Sequence, residues 1–307
     1  MLPSFLQPSG RQLESDPTLP VDAKFIHSNT LGRSIAHCLW WPSKSAEPPS
    51  TVVLFIPGNP GLLAFYTNFL SHLYKKSSAN LAIFAHGHLG HNPAYGVEPP
   101  YRHLAIQVQA AIESLDAVTT EYGDQIKVVL VGHSVGAWIA MKVMKERPHA
   151  VSASFFLFPT IMHIVKTPNG RILWWIFRRP FPNIISRLSV LARLIPRAAL
   201  SLLFPDYPPE QLRVLQSLIH SRQVILSALT MAGDEMKTIT ALDEVHLAQD
   251  KHKLWVYLAE KDNWVGEHRD TILREFSDQQ HSVRVIQGCN SIPHAFCISA
   301  SQNTHFR

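Results

Sequence analysis

Cysteine is scarce in this chain: Cys38, Cys289 and Cys297 are three among 307 residues. The number is odd and no C-x-x-C pair occurs. A disulfide framework is therefore not expected, and a reducing compartment fits. Long hydrophobic runs are missing too. Nowhere do 18 apolar residues follow one another, so an ordinary transmembrane helix is not expected. The N-terminus has no basic stretch leading into an apolar core, so no secretory signal is visible. Charge of one sign is only mildly in excess, with 28 Lys and Arg against 23 Asp and Glu. Its placement matters more than its total. At 46% hydrophobic and 17% charged residues the chain is not of disordered composition. Its length suits one large domain, or a domain with an inserted cap.

Short, β-branched apolar runs recur. They lie at Lys24–His27, Ile35–Trp41, Thr51–Ile56, Leu81–Phe84, Lys127–Val131, Ser154–Phe158, Leu254–Leu258 and Ser282–Ile286. Continuous runs of this kind read as strands buried on both faces. Helical spacing intervenes at Phe65–Leu73, Tyr101–Val118 and Gly136–Met144. Alternating strands and helices predict an α/β fold, with a mostly parallel central sheet and helices on both faces. The alternation stops between about 161 and 250, which predicts an inserted helical cap. Residues 1–20, rich in Pro, Ser and Gln, are expected to be loose, and 21–307 to form one domain.

Gly132-His133-Ser134-Val135-Gly136 is a G-x-S-x-G sequence. By itself the pattern is weak. Here it follows a buried strand and opens a helix, the setting in which the motif holds a nucleophilic serine in α/β hydrolases. Ser134 then needs a base, and the expected order is serine, acid, histidine. His294 follows the last predicted strand, at the edge where the fold places its histidine. His281 precedes that strand and His305 is nearly terminal. The acid should follow Leu254–Leu258, which selects Asp262, with Glu260 as its rival. For an oxyanion, the amide of Val135 is one expected donor. Pro57-Gly58-Asn59-Pro60-Gly61 ends an earlier strand and supplies the other, Asn59, with Gly58 as alternative. Pro60 has no N–H to offer.

Two further stretches stand out. Histidines 86, 88 and 91 crowd one loop, but no Cys, Asp or Glu lies beside them. A polar rim or a substrate loop is expected there rather than a metal, and no metal or cofactor is expected. From Ile161 to Pro205 there are seven Lys or Arg and no acid, interleaved with Trp, Phe, Ile and Leu. Such a segment suits a lipid interface through about 171–204, though an apolar face packed on the core is the competing account. Nucleic-acid binding is not expected, because aliphatic surface dilutes the basic residues.

These residues also carry a resemblance. Ile56-Pro57-Gly58-Asn59-Pro60-Gly61, Tyr66 and Phe69, the loop His86–His91 and Gly132–Ala137 are similar to the lipid droplet-associated serine hydrolase family. Leu157-Phe158-Pro159-Thr160 followed by Thr167-Pro168-Asn169-Gly170-Arg171 is its most specific part. Asp262-Asn263-Trp264 and Ile292-Pro293-His294-Ala295-Phe296 complete it. The resemblance covers about residues 50–297. It implies an α/β-hydrolase fold, Ser134, Asp262 and His294 as a triad, and no cofactor. It implies a lipid ester as substrate, with sterol esters or acylglycerols leading. It also implies residence on lipid droplets and the endoplasmic reticulum, at the cytosolic face. Members of the fold usually finish with a helix after the histidine, whereas Ser299–Arg307 is polar. That departure keeps one alternative open, a droplet-associated storage protein with a weak or inactive hydrolase domain; a cap that merely packs on the core keeps another, a soluble esterase or thioesterase. The oligomeric state is not written in the sequence.

Overall fold

A computed structural model describes residues 2–10, 16, 18–27, 32, 34–96, 99–243, 247, 249–276, 284–287 and 292–298. The candidates His281 and His305, Cys289, and the tail 299–307 lie outside the described residues.

Nine strands form one sheet: β1 (Leu6–Pro8), β2 (Val21–Ile26), β3 (Ile35–Trp41), β4 (Thr51–Ile56), β5 (Leu81–His86), β6 (Lys127–His133), β7 (Val151–Leu157), β8 (Leu254–Leu258) and β9 (Arg284–Gln287). Their order is β1-β2-β3-β5-β4-β6-β7-β8-β9. The first three strands are antiparallel to their neighbours, and β5 through β9 are joined by parallel ladders. The N-terminal segment is not loose throughout, as its composition suggested. Leu6–Pro8 pairs with Ala23–Phe25, and Leu6 is buried. Pro8 is tolerated because β1 is an edge strand.

The alternation of β4 explains why its sequence is apolar throughout. Val52, Leu54 and Ile56 join one hydrophobic cluster and Val53 and Phe55 join the other, on opposite faces. Helices α2 (Leu104–Tyr122) and α3 (Val135–Glu146) supply the first cluster, and α1 (Thr67–Lys76) supplies the second. Among the described residues, five α-helices have bounds between β7 and β8: α4 (Pro168–Leu173), α5 (Phe181–Leu188), α6 (Arg197–Leu203), α7 (Pro209–Ile219) and α8 (Arg222–Thr238). Helix α9 (His268–Phe276) then leads to β9. Among the described residues no helix is long and apolar enough to cross a membrane.

Candidate active site

Ser134 joins the end of β6 to the start of α3 with φ 56° and ψ −121°. A side chain bearing Cβ is strained at such a φ. Surrounding contacts hold the turn. A Cβ on Gly132 would lie 2.4 Å from the Gly136 carbonyl oxygen, and one on Gly136 would lie 2.3 Å from that of Ile56. Only glycine lets strand and helix approach this closely. The turn lifts the Ser134 hydroxyl above the C-terminal edge of the sheet, where α/β folds collect their ligands.

Asp262 follows β8 and His294 follows β9, so both reach the same edge. Ser134 Oγ lies 3.0 Å from His294 Nε2, and His294 Nδ1 lies 2.7 Å from Asp262 Oδ2. The Asp262 carboxylate is almost fully buried, at 2% exposure. Its other oxygen accepts the amides of Trp264 at 2.8 Å and Val265 at 3.2 Å. The rival Glu260 is exposed and stands outside this arrangement.

The oxyanion candidates are also near. Gly58 packs against the nucleophile turn, since a Cβ there would lie 3.1 Å from Ser134 Cβ. The Gly58 amide already donates to Tyr66 Oη at 3.0 Å, which removes it as a donor. Among the described residues, no protein group accepts from the amides of Asn59 or Val135. Val135 opens α3, and the N-terminus of a helix favours negative charge.

Tyr66 and His133 have a part that sequence patterns alone did not assign. Tyr66 Oη donates to His133 Nδ1 at 2.8 Å, and His133 Nε2 donates to the His294 carbonyl at 3.0 Å. Burial, reinforced by the neighbouring His294, holds His133 down at about 3, so it stays neutral and keeps this tautomer. The Pro57–Gly61 loop is thus tied to the loop that carries His294 through two side chains. Gln211 on α7 adds a second tie, donating to the carbonyls of Phe65 at 3.3 Å and Cys297 at 3.2 Å.

The histidine-rich loop is a buried brace, not the polar rim its composition suggested. His88 Nε2 donates to the Pro57 carbonyl at 3.0 Å, and His91 Nδ1 accepts the Gly61 amide at 3.0 Å. The approach is close enough that a Cβ on Gly61 would lie 2.5 Å from His88 Cδ2. His86 pairs with His27 at 3.1 Å, and His27 with Glu113 at 2.8 Å. Burial lowers His88 to about 4 and pushes His86 and His91 well below their ordinary value. Among the described residues no set of three His, Cys, Asp or Glu is placed to hold a metal.

The most distinctive sequence stretches hold the inserted helices to the acid loop. Thr167 Oγ1 caps α4 by accepting the Gly170 amide at 3.1 Å, and the Asn169 amide donates to the Asn263 carbonyl at 3.0 Å. Phe158 stacks on Phe296 with centroids 5.3 Å apart, beside His294. A cavity of about 280 Å³ opens onto Ser134 and His294, walled by Asn59 and Pro60, α8 and Trp264.

The sheet order, the helices inserted after β7 and the strand–turn–helix at Ser134 define an α/β hydrolase. Solved hydrolases of this fold superpose on nearly the whole chain. The 2-hydroxy-6-oxo-6-phenylhexa-2,4-dienoate hydrolase of Rhodococcus sp. does so with a TM-score of 0.60 at 15% identity, over 92% of this chain and 95% of its own. A haloalkane dehalogenase variant from Bradyrhizobium elkanii gives 0.60 at 15% identity, over 92% and 93%. More narrowly, the chain belongs to the lipid-droplet associated hydrolase family, whose sequence model matches residues 49–297. The human lipid droplet-associated hydrolase is 25% identical over 329 residues, covering 94% of this chain and 92% of the human one.

Proposed function

We propose that this chain is a lipid-directed carboxylic ester hydrolase acting through Ser134, His294 and Asp262. One observation carries the reading. A serine in a strained turn, an imidazole and a buried carboxylate stand in hydrogen-bonded series at 3.0 and 2.7 Å, open to a cavity. In this reading His294 Nε2 takes the Ser134 proton as Oγ attacks the ester carbonyl. The amides of Asn59 and Val135 hold the oxyanion, and the amide pair supplies the largest electrostatic contribution. His294 then protonates the leaving alcohol. Asp262 keeps Nδ1 protonated and stabilises the imidazolium. Water, activated by His294, releases the acid and restores Ser134. No step calls for a cofactor.

The helices between about 161 and 250 would form a cap over one hydrolase domain, and their outer face would meet lipid. Leu188, Leu191, Leu194, Leu202 and Leu203 are exposed there, among Arg187, Arg193 and Arg197. Apolar side chains entering the acyl boundary with guanidiniums at the phosphates suit a lipid droplet or the cytosolic face of the endoplasmic reticulum. Sterol esters and acylglycerols are the substrate classes this placement favours.

The test compares parent and Ser134→Ala protein. A fluorophosphonate probe should label the parent alone. Turnover of emulsified lipid esters should fall by about 10⁴- to 10⁶-fold in the variant. Equal labelling of both proteins overturns the assignment.

A further inference from the structure

Helix α8 presents Ala228, Ala232 and Glu235 to the cavity that holds Ser134. The spacing of four and then three residues puts them on one helical face. Two are apolar, as befits a lipid site, and the third is a carboxyl group. Glu235 is buried at 5% exposure. Its Oε1 accepts from Asn59 Nδ2 at 2.8 Å, and that same amide group donates to the Ala228 carbonyl at 2.9 Å. Among the described residues, Oε2 has no protein partner. Asn59 Oδ1 is buried beside it and also without a partner.

A buried carboxyl with an open oxygen costs free energy unless something pairs with it. Apart from Glu235 and Asn59, this end of the cavity is apolar: Ile164, Phe177, Leu229 and Met236 line it. An ester without further polar groups would leave Glu235 unpaired. An ester carrying a free hydroxyl would satisfy it.

Resting on the ester-hydrolase reading above, we propose that Glu235 forms a hydroxyl-recognition subsite that selects esters bearing a free hydroxyl near the scissile carbonyl. The hydroxyl belongs either to the alcohol, as in a partial acylglycerol, or to the acyl chain, as in a hydroxyacyl ester. Of the two substrate classes that the lipid placement favours, this subsite ranks partial acylglycerols above sterol esters, which like simple alkyl esters offer no such group. The protonation state agrees with this role. Burial pushes the carboxyl up, Asn59 draws it part of the way back and Asp234 adds to the rise, leaving it at about 8. At neutral pH the group keeps its proton, so Oε2 donates to the substrate oxygen. Because Asn59 Nδ2 holds Oε1, the acid is fixed in orientation beside the oxyanion loop.

Two matched substrate pairs test the subsite. A 1-monoacylglycerol is compared with the propyl ester of the same fatty acid, and a 3-hydroxyacyl methyl ester with its unsubstituted counterpart. The parent should favour the hydroxylated member of one pair by about tenfold or more in kcat/KM, and the pair showing it identifies the side of the ester. Glu235→Leu should bring that ratio near one, because activity on the hydroxylated ester falls further than activity on its plain counterpart. Glu235→Gln, which still offers a donor, should keep most of the preference. A purely structural role for Glu235 would lower both members of a pair together. Parent ratios near one in both pairs overturn the inference without any variant, and so does a ratio that Glu235→Leu leaves intact. Binding separates this failure from failure of the ester-hydrolase reading. On Ser134→Ala protein, a 1-O-alkylglycerol should quench or enhance Trp264 fluorescence at about tenfold lower concentration than the matched alkyl propyl ether. Equal affinity for the two ethers would overturn the subsite even in a protein that turns over no ester.

Discussion

Leu54 on β4 and Leu202 on α6 are the same residue in opposite circumstances. Leu54 has no exposed surface, and Leu202 keeps 83% of its own. The contrast holds for the regions around them. The sheet edge beneath Ser134 is dry, and even its polar residues are sealed: His27, His86, His88, His91 and His133 are all buried. The helices between β7 and β8 pack on one another and, through α8, on α2, and they carry Ile172, Trp175, Leu191 and Leu194 toward water. Stability is therefore concentrated in the floor. The outer roof has apolar surface beyond what folding uses, which the proposed lipid attachment would cover. Changes in the floor should act on folding first, and changes on the outer roof on attachment.

Acid should expose this division with the largest effect. Burial depresses all five floor histidines, His88 to about 4 and His133 to about 3, from an ordinary value of 6.5. A depressed folded value means that the unfolded chain binds protons more readily. The stabilisation is therefore present above about 6.5 and is lost as pH falls toward the folded values. A histidine that stays neutral across that window contributes on the order of 1 kcal/mol per pH unit. Several together approach a domain stability of about 5–15 kcal/mol. Circular dichroism should show cooperative unfolding between about pH 6 and pH 4. Glu235 in the roof runs the other way. Its folded value, about 8, lies above the ordinary 4.5. Its contribution is full below about 4.5 and is lost as pH rises through about 8. Relative to Glu235→Gln, the parent should thus lose stability toward alkaline pH. A parent stability that is flat from pH 7 to 4.5 would mean that the floor histidines are not held neutral.

Much of the floor was legible in the sequence, because its signals are local. Unbroken apolar runs mark strands buried on both faces, and Gly132 and Gly136 flank the one residue that must adopt a strained turn. Asp262 and His294 could be chosen because strand order fixes which loops share an edge. The difference from Glu260 is visible only in space: Trp264 and Val265 amides hold the Asp262 carboxylate inward, and Glu260 is exposed. Cross-chain pairings were not legible. His88 meets Pro57 because Gly61 permits the approach, and Tyr66 reaches His133 across 67 positions of sequence. Glu235 had a weak signal, an acid in the apolar stripe Val224, Ala228, Met231 and Ala232 of one helix. Its partner Asn59 lies 176 positions away. Short edge pairing such as β1 is set by tertiary docking, which composition does not report.

A pair of glycine substitutions tests the same contrast at smaller cost. Gly136→Ala places a Cβ 2.3 Å from the Ile56 carbonyl oxygen and 2.6 Å from that of Pro57. Both obstacles are backbone, so the turn beneath Ser134 must shift. A loss of about 3 kcal/mol is expected, read as a lower denaturant midpoint together with slower probe labelling of Ser134. Gly96→Ala meets nothing nearer than the Gln223 side chain at 3.7 Å, where loop faces roof. Its effect should stay within about 0.5 kcal/mol. Equal costs at the two sites would contradict a rigid floor.

The smallest effect on folding should accompany a clear effect on attachment. Leu194 is 81% exposed and Leu202 is 83% exposed, so neither buries appreciable area within the chain. The double substitution Leu194→Ser with Leu202→Ser should leave the melting temperature nearly unchanged, within about 0.5 kcal/mol of stability per site. If these side chains enter lipid, each loses part of a transfer free energy of about 1.5–3 kcal/mol. Even half of that from each would reduce partitioning onto a phospholipid-coated triacylglycerol emulsion about tenfold or more. Co-flotation of parent and variant at matched salt measures it, and hydrolysis of a short-chain soluble ester by the variant should be unchanged. Retained flotation with a lowered melting temperature would reverse the division between the regions: the exposed leucines would then serve the fold, and attachment would have to be sought on another face.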